Sequence, residues 1–285
     1  MESPTTSRWQ ALNPAIYLIS ILPGLAVTLL AGRQPFWLSG LTLATFAVVL
    51  LQHAINVFND LSDWRLGADI NKMDSWVRFH RQDMRAVALH GAISFATGAL
   101  LGLYVLYLSS QYWILAIAAP LVLLGYLYNS GSKPLSYSSA GEWVTGICYG
   151  PGVFGCLWLV SGQSADINYV LGSVAFAALS LSLLLSHQPP QIETDRQAGK
   201  HSFAARHGAR RTYAVARLML VISCLSIALG LYRAAMPSYT VPAAYGLAGL
   251  LLVLFIYRVN PQPKIIMLGS SLALSAALIL STAVN

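Results

Sequence analysis

One short polar segment has the residue types and spacing of a metal or phosphate site. Four of its residues follow i, i+3, i+4, i+7 spacing and would share one stripe of a helix: Asn56, Asn59, Asp60 and Asp63. Gly67 would let the chain turn so that Asp69 returns toward this stripe. Carboxylate and amide oxygens are ligands that Mg²⁺ prefers, and Mg²⁺ is usually held jointly with a substrate phosphate. A solvated helix end is the alternative, but closely packed acids repel one another unless a cation lies among them.

A second acidic segment follows much later in the chain. Its polar residues are Gln191, Glu193, Asp195, Arg196 and Lys200. The prolines at 189 and 190 cannot continue a helix interior but are tolerated in the first turn of a new helix. We therefore expect one helix to stop near His187 and a short helix to carry Gln191 and Asp195 on one face.

The composition is that of a polytopic membrane protein. Charged residues make up 9% of the 285 residues, against about 25% in soluble domains. Hydrophobic residues make up 56%, and the mean hydropathy is +0.61. The net charge of +7 requires no nucleic-acid partner, because basic residues gather in the cytoplasmic loops of membrane proteins. Ionisable groups at membrane depth are costly and usually functional, so the two acidic segments are the candidate site.

Nine apolar runs are long enough to cross a lipid bilayer, which takes about 20 residues. They cover 13–31, 38–58, 86–108, 111–129, 141–161, 168–187, 212–233, 239–258 and 264–283. If residues 1–12 are cytoplasmic, every Lys and Arg except Arg33 and Arg233 falls on the cytoplasmic side. The positive-inside rule then predicts a multi-pass protein of the inner (cytoplasmic) membrane, with cytoplasmic acidic segments and the C-terminus outside.

The same pattern predicts a single transmembrane domain over residues 1–285. The second and sixth runs each lead into an acidic segment with basic neighbours, four helices apart. This spacing favours a four-helix unit used twice, over 13–129 and 141–258, followed by a ninth helix.

The motifs of this sequence and their order resemble those of the UbiA-type intramembrane prenyltransferases. Within that family the resemblance is to the menaquinone-pathway 1,4-dihydroxy-2-naphthoate branch. The matching motifs are Asn-x-x-Asn-Asp-x-x-Asp-x-x-x-Gly-x-Asp from Asn56, Gly125-Tyr-Leu-Tyr128, Lys133-Pro-Leu-Ser-Tyr137, Gly141-Glu142 and Ile192-Glu-Thr-Asp-Arg-x-Ala-Gly-Lys200. The resemblance implies an all-α bundle of nine transmembrane helices around a central cavity that opens laterally to lipid. It also implies two Mg²⁺ ions that bridge a prenyl diphosphate.

The resemblance also implies roles for residues of both segments. The metal ligands would be Asn59, Asp60, Asp63 and Asp69 for the first ion, and Asp195 with Gln191 for the second. Gln191 stands where the family has Asp, so we expect the second ion to be held more weakly. The residues implied in catalysis are Asp60, Asp63, Asp195 and Lys133.

A prenyl diphosphate must lose pyrophosphate to give an allylic cation, and basic side chains stabilise the phosphate oxygens. The candidates for diphosphate binding are Asn56, Arg65, Lys72, Lys133 and Lys200, although loop charges that set topology are the alternative. The cation needs a dry, aromatic-lined cavity. The candidate lining residues are Phe58, Tyr126, Tyr128 and Tyr149, with ordinary helix packing as the alternative.

Two further residue types have open roles. His53 lies one turn before Asn56, and we expect it to be a core or cavity histidine rather than a ligand. The remaining histidines have no spacing that indicates zinc. Glu142 is either a charge favoured at a helix N-terminus or a base that deprotonates the acceptor.

The sequence thus predicts Mg²⁺-dependent transfer of a polyprenyl group from a prenyl diphosphate to an aromatic or quinone precursor, such as 1,4-dihydroxy-2-naphthoate. An intramembrane terpene cyclase of the same fold is one alternative. A non-catalytic isoprenoid-lipid binder or transporter is another. The expected partners are the prenyl diphosphate, the aromatic acceptor and the bilayer, with neither nucleic acid nor an obligate protein partner.

Overall fold

A computed structural model describes residues 6–31, 35–68, 72–131, 134–233 and 263–283. These residues form helices and connecting turns, and no strand occurs among them. The α-helices are α1 Arg8–Leu12, α2 Leu18–Leu30, α3 Pro35–Leu66, α4 Trp76–Phe79, α5 Met84–Ser109, α6 Leu115–Asn129, α7 Gly141–Ile147, α8 Gly155–Val160, α9 Ile167–His187, α10 Ile192–Gln197, α11 Phe203–His207, α12 Ala209–Arg233 and α13 Pro263–Ala283. A π-helical stretch, Cys148–Phe154, joins α7 to α8.

Seven helical segments of the described chain are long and apolar enough to cross a membrane. They are Arg8–Leu30, Ser39–Leu66, Met84–Ser109, Tyr112–Asn129, Gly141–Val160, Ile167–Gln197 and Ala209–Gly230. Each corresponds to one predicted run, which confirms an all-helical membrane fold over this part of the chain. The last predicted run lies within α13, whereas the run 239–258 lies outside the described residues.

Helix α3 carries the first acidic segment, as its periodicity predicts. The helix continues to Leu66, past the predicted end of the apolar run at 58. It is followed by Gly67, whose φ of 87° lies in the left-handed region that glycine tolerates best. The polar stripe is therefore the last part of a long helix rather than a loop.

Close packing of α5 against α3 fixes the position of this stripe. A Cβ added at Gly98 of α5 would lie 3.0 Å from the backbone nitrogen of Leu51 and 3.1 Å from the carbonyl oxygen of Ala47. Small residues at such crossings let the backbones of membrane helices approach closely. Side chains of α3 and α5 can therefore meet directly.

The main apolar core lies among α2, α3, α9 and the π-helical stretch. Its aromatic centre is a stack in which the Phe154 ring lies 5.4 Å from Phe176 and 5.9 Å from Trp158, centroid to centroid. A smaller cluster around Val57, Trp76 and Val77 packs α4 against the last turns of α3. This second cluster lies at the end of the bundle where α3 ends, α5 begins and residues 188–208 pack, which we call the polar end.

Candidate active site

Among the described acids of the polar end, Asp63 is the most deeply buried. Its relative exposure is 2%. Its Oδ2 accepts hydrogen bonds from Asn59 Nδ2 at 2.9 Å and from Lys200 Nζ at 3.3 Å. Its Oδ1 is buried and has no hydrogen-bond partner among the described residues. A buried carboxylate oxygen without a donor is costly, so this atom retains the capacity to bind a cation or donor from a ligand.

Lys200 joins the two acidic segments. It contacts Asp63 across a separation of 137 residues, and its backbone N–H donates to the carbonyl of Asp195 at 2.7 Å. Its ammonium group also lies 5.2 Å from the centre of the Tyr137 ring. The two acidic segments, which the sequence analysis treats as one candidate site, thus contact each other through Lys200 and Asp63.

The second segment begins where its prolines predict. Helix α9 ends at His187, and α10 follows a 3₁₀ turn at Pro189–Gln191. Asp195 is 4% exposed and accepts a hydrogen bond from Ser202 Oγ at 2.6 Å. Gln191 is the N-cap of α10 and is exposed. The two residues lie one helical turn apart, and their sharing of one helical face stays a prediction.

Asp60 is bonded to the loop that follows α3. Its Oδ1 lies 2.8 Å from Lys72 Nζ, and its Oδ2 accepts the backbone N–H of Trp76 at 2.8 Å. The carbonyl of Lys72 in turn accepts a hydrogen bond from Arg78 Nε at 2.8 Å. A predicted metal ligand and a predicted diphosphate-binding residue thus contact each other, and together they fasten this loop to α3.

The other polar candidates differ in position. Asn56 lies on the stripe, and its Nδ2 is buried without a hydrogen-bond partner among the described residues. Arg65 is exposed at the end of α3. Asp69 and Lys133 lie outside the described residues.

The predicted lining residues form two pairs. Tyr128 lies within electrostatic range of Asp63 and Lys200 and contacts Thr145, whereas Tyr149 lies near Tyr128. The ring of Phe58 packs edge-on to that of Tyr126 at 6.1 Å between centroids, and Tyr126 is 44% exposed. The first pair therefore adjoins the acidic site, while the second includes an outward-facing ring.

Glu142 binds the second segment to the rest of the polar end. Its Oε1 accepts hydrogen bonds from Gln188 Nε2 at 3.0 Å and from the backbone N–H of Phe203 at 2.6 Å. Its Oε2 lies 3.3 Å from Arg206 Nη2. Gln188 Oε1 also accepts the backbone N–H of Ala204 at 3.2 Å. These contacts position the segment that carries Lys200, a structural role that the sequence did not indicate.

Sequence reasoning also missed a chain of four hydrogen-bonding side chains beside the site. Tyr17 Oη lies 2.7 Å from His53 Nδ1, His53 Nε2 lies 3.0 Å from His90 Nε2, and His90 Nδ1 lies 3.1 Å from His80 Nε2. We call these residues the histidine chain. They come from four different elements, so no local spacing could have revealed them.

The oxygen donors at Asp63 fit a hard divalent cation. The described residues hold no group of three or more His, Cys, Asp or Glu side chains arranged as a metal site. Mg²⁺ needs fewer protein ligands, because it keeps several waters and takes one or two carboxylates together with substrate phosphates. Asp63 Oδ1 and the neighbouring Asn59 amide are suited to that kind of site.

Known proteins resemble this chain in sequence. It is 28% identical over 211 residues to the 1,4-dihydroxy-2-naphthoate octaprenyltransferase of Bacillus subtilis (strain 168), covering 73% of this chain and 68% of the relative. It is 33% identical over 186 residues to the enzyme of that name from Mycobacterium tuberculosis, covering 64% and 62%. It is 30% identical over 243 residues to a chloroplastic 2-carboxy-1,4-naphthoquinone phytyltransferase of Arabidopsis thaliana, covering 79% and 61%. The aligned region is thus less than two thirds of the latter two relatives.

A solved structure and a protein-family model also match this chain. A UbiA homolog from Archaeoglobus fulgidus, solved with DMAPP and Mg²⁺, superposes with a TM-score of 0.66 over 97% of this chain and 98% of that one, at 14% identity. At this identity the likeness concerns the fold alone. The model of the UbiA prenyltransferase family matches residues 18–268. The chain therefore belongs to the UbiA prenyltransferase family, which confirms the prediction, made from its motifs, of a prenyltransferase.

Proposed function

We propose that this protein transfers a polyprenyl group from a prenyl diphosphate to an aromatic acceptor such as 1,4-dihydroxy-2-naphthoate, with release of pyrophosphate and in dependence on Mg²⁺. The observation that carries the proposal is the buried, unpartnered oxygen of Asp63 beside Lys200. A carboxylate oxygen and an ammonium group side by side can bind a cation and a phosphate oxygen at the same point. The names of the aligned relatives support the choice of acceptor.

In this proposal Asp63 and Asn59 hold the first Mg²⁺ ion, with Asp60 and Asp69 in support. Asp195 holds the second, with Gln191 as a weak ligand. When bound, the ions stabilise the charge that develops on the leaving pyrophosphate. Ser202, which donates to Asp195, orients the carboxylate of Asp195, and Glu142 keeps the whole second segment in place.

Lys200 is the principal diphosphate-binding residue of the proposal. It lies between the two acidic segments, and its side chain is 18% exposed. A partly buried ammonium group interacts more strongly with a phosphate than one in bulk water. Asn56, Arg65, Lys72 and Lys133 would contribute further contacts, and Lys133 would complete the catalytic group of Asp60, Asp63 and Asp195.

The isoprenoid tail would lie among the aromatic residues that begin at the acidic site. Tyr128 and Tyr149 lead inward from Asp63 and Lys200, and Phe58 and Tyr126 lead toward the outer face. Such a path is consistent with a nine-helix bundle whose cavity opens laterally to lipid. It would exclude water from the allylic cation, which water would quench.

The proposed architecture is a single domain over residues 1–285, with the four-helix unit used over 13–129 and 141–258. In this proposal the polar end lies in the cytoplasm and the protein in the inner membrane, with the C-terminus outside, as the positive-inside rule predicts from the basic loops. Reporter fusions after 31, 131 and 283 would test this orientation. A cytoplasmic readout at 31 or 283 would contradict it.

The reaction can be tested with purified protein in nanodiscs. Wild type should release pyrophosphate from a polyprenyl diphosphate and form a prenylated naphthoate-derived product, detected by mass spectrometry, and EDTA should stop both. Pyrophosphate with a cyclised hydrocarbon, whether or not an aromatic is present, would favour the terpene cyclase. Binding of the prenyl diphosphate without pyrophosphate release at any chain length would favour the lipid binder.

A further inference from the structure

The histidine chain runs from the buried interior to the turn between α4 and α5. Tyr17 is 6% exposed and lies near Tyr149 and Asp60. His80 lies in the turn after α4 and is only half-buried. The chain thus links the tyrosine-lined region beside the acidic site to the surface of the polar end.

Two sets of proton positions each satisfy all three contacts. If Tyr17 donates to His53 Nδ1, the proton of His53 is on Nε2 and is donated to His90 Nε2. His90 then carries its proton on Nδ1, which donates to His80 Nε2. The reverse set, in which His80 donates inward and His53 donates to Tyr17, also satisfies every contact. A hydrogen-bonded chain with two such states can pass a proton by switching from one to the other.

Trp76 holds the rings of the chain in place. Its ring contacts His53 edge-on at 5.1 Å and His90 at 4.6 Å, and lies 6.4 Å from His80, between centroids. The backbone N–H of the same residue donates to Asp60 Oδ2. Trp76 therefore contacts both the histidine chain and Asp60 of the acidic stripe.

The surroundings of His80 favour a neutral imidazole. Burial of the ring lowers the pKa of His80 from its ordinary 6.5, and Asp83 partly opposes this shift. The other charged groups near the chain are Arg8, which acts on His90, and Asp60, which acts on Tyr17. With His80 neutral at pH 7, its second ring nitrogen can exchange a proton with water.

We propose that Tyr17, His53, His90 and His80 form a proton relay between the aromatic acceptor and the aqueous phase at the polar end. This inference rests on the proposed function. The hydroxyl O–H bond of the acceptor breaks, its electron pair stays on the ring oxygen, and the proton passes to Tyr17 as Tyr17 gives its own to His53. His80 then releases a proton to water.

The resulting phenolate is a better nucleophile than the phenol. Its ring carbon bonds to C1 of the prenyl group, and the electron pair of the C1–O bond leaves with the pyrophosphate. Where that ring carbon carries the carboxylate of the acceptor, the bond between the ring carbon and the carboxylate carbon then breaks, CO₂ leaves, and the electron pair of the bond returns to the ring and its oxygen. The ring oxygen then regains a proton through the reversed relay, so that the relay needs no further reactant.

The central test replaces the middle of the relay with a residue that keeps hydrogen bonds but does not titrate. His90→Gln should lower kcat for aromatic prenylation by about 10²-fold, a typical contribution of general acid–base groups, and change KM for the prenyl diphosphate little. The solvent deuterium isotope effect of wild type should be large and should change in the variant. The matched control is His207→Gln, at an exposed histidine that does not belong to the histidine chain.

A second variant tests the outer end. His80→Ala should lose activity that added imidazole restores, because free imidazole can take over the exchange with water. A merely structural role would give His90→Gln wild-type kcat and isotope effect, and no rescue of His80→Ala. That pattern would overturn the relay.

One measurement does not depend on turnover. Nitrogen-15 NMR of the histidines in nanodiscs at pH 7 should show neutral rings with hydrogen-bonded nitrogens at 53, 80 and 90. A charged imidazolium within the chain would overturn the relay even if no substrate is known. A wild type that forms no aromatic product would instead refute the proposed function, while the NMR result would still decide whether the chain can relay protons.

Discussion

Asp63 and Glu142 are both buried carboxylates at the polar end, yet the protein supplies their oxygens with donors to different extents. Glu142 receives hydrogen bonds at both oxygens, from Gln188, Phe203 and Arg206. Asp63 receives two at Oδ2, and its Oδ1 has none from the described residues. Because a buried acceptor without a donor is costly, Glu142 is suited to holding the structure, whereas Asp63 has an oxygen left for a ligand.

The difference teaches that burial and residue type alone do not identify a site carboxylate. Asp60 is also an aspartate, lies on the same helix as Asp63 and is buried to a similar extent. Both of its carboxylate oxygens, however, already accept hydrogen bonds. Counting the donors at each oxygen therefore ranks Asp63 above Asp60 as a ligand. It also assigns Asp60 a structural contact that the motif did not reveal.

The difference between Asp63 and Glu142 is tested most directly by a substitution at Asp63. Asp63→Ala should lower turnover by on the order of 10²–10³-fold, as removal of one strong electrostatic contact at a reacting centre does. The melting temperature should change little, because the deletion also relieves the unpartnered oxygen. Pyrophosphate release and a fluorescence-monitored melt measure the two effects.

Asp74→Ala, at an exposed acid, is the matched control for Asp63 and should have wild-type activity. If Asp63→Ala kept full activity, the first metal site would have to be removed from the proposal.

Glu142 should show the reverse pattern. Glu142→Gln keeps one acceptor oxygen but presents N–H groups to Arg206, and we expect it to cost about 1–3 kcal/mol of stability. The melting temperature should fall, while activity below the transition should fall much less than in Asp63→Ala. Glu193→Gln, at an exposed acid of the same segment, is the control. A Glu142→Gln protein with an unchanged melt and no activity would restore its interpretation as a base.

The parts of the site that local patterns determine were predictable from the sequence. The stripe on α3 follows from helical periodicity, and the end of α9 at His187 follows from the two prolines. The position of the two acidic segments at one end of the bundle agrees with the single side of the membrane that the basic loops predict for both. Each of these features depends on residues that are neighbours in sequence or share one topological side.

Contacts between distant elements could not be predicted in this way. Glu142 bonds to residues 46, 61 and 64 positions away, and no spacing rule relates them. The histidine chain likewise depends on the close approach of α3 and α5 at Gly98.

A smaller effect is expected at Gln191, where the second segment would gain a charge. Gln191→Asp should lower the Mg²⁺ concentration that gives half-maximal activity by roughly three- to tenfold, because an added carboxylate strengthens a hard-cation site. A Mg²⁺ titration of turnover measures it. Gln197→Asp adds the same charge at the last residue of α10 and should leave the titration unchanged. An identical titration for both variants would show that position 191 is not a ligand.

The smallest effect is expected at Lys72, and it sharpens the distinction between Asp60 and Asp63. The Lys72–Asp60 ion pair is partly exposed, with the Lys72 side chain 30% exposed, so its loss should cost at most about 1 kcal/mol. Asp60 would keep the backbone N–H of Trp76. Lys72→Gln should therefore raise KM for the prenyl diphosphate less than Lys200→Gln, with Arg211→Gln, at an exposed arginine, as the control in a steady-state assay. If Lys72→Gln had the larger effect, Lys72 would have to leave Asp60 to bind the diphosphate, and Asp60 would then share with Asp63 an oxygen available to the metal.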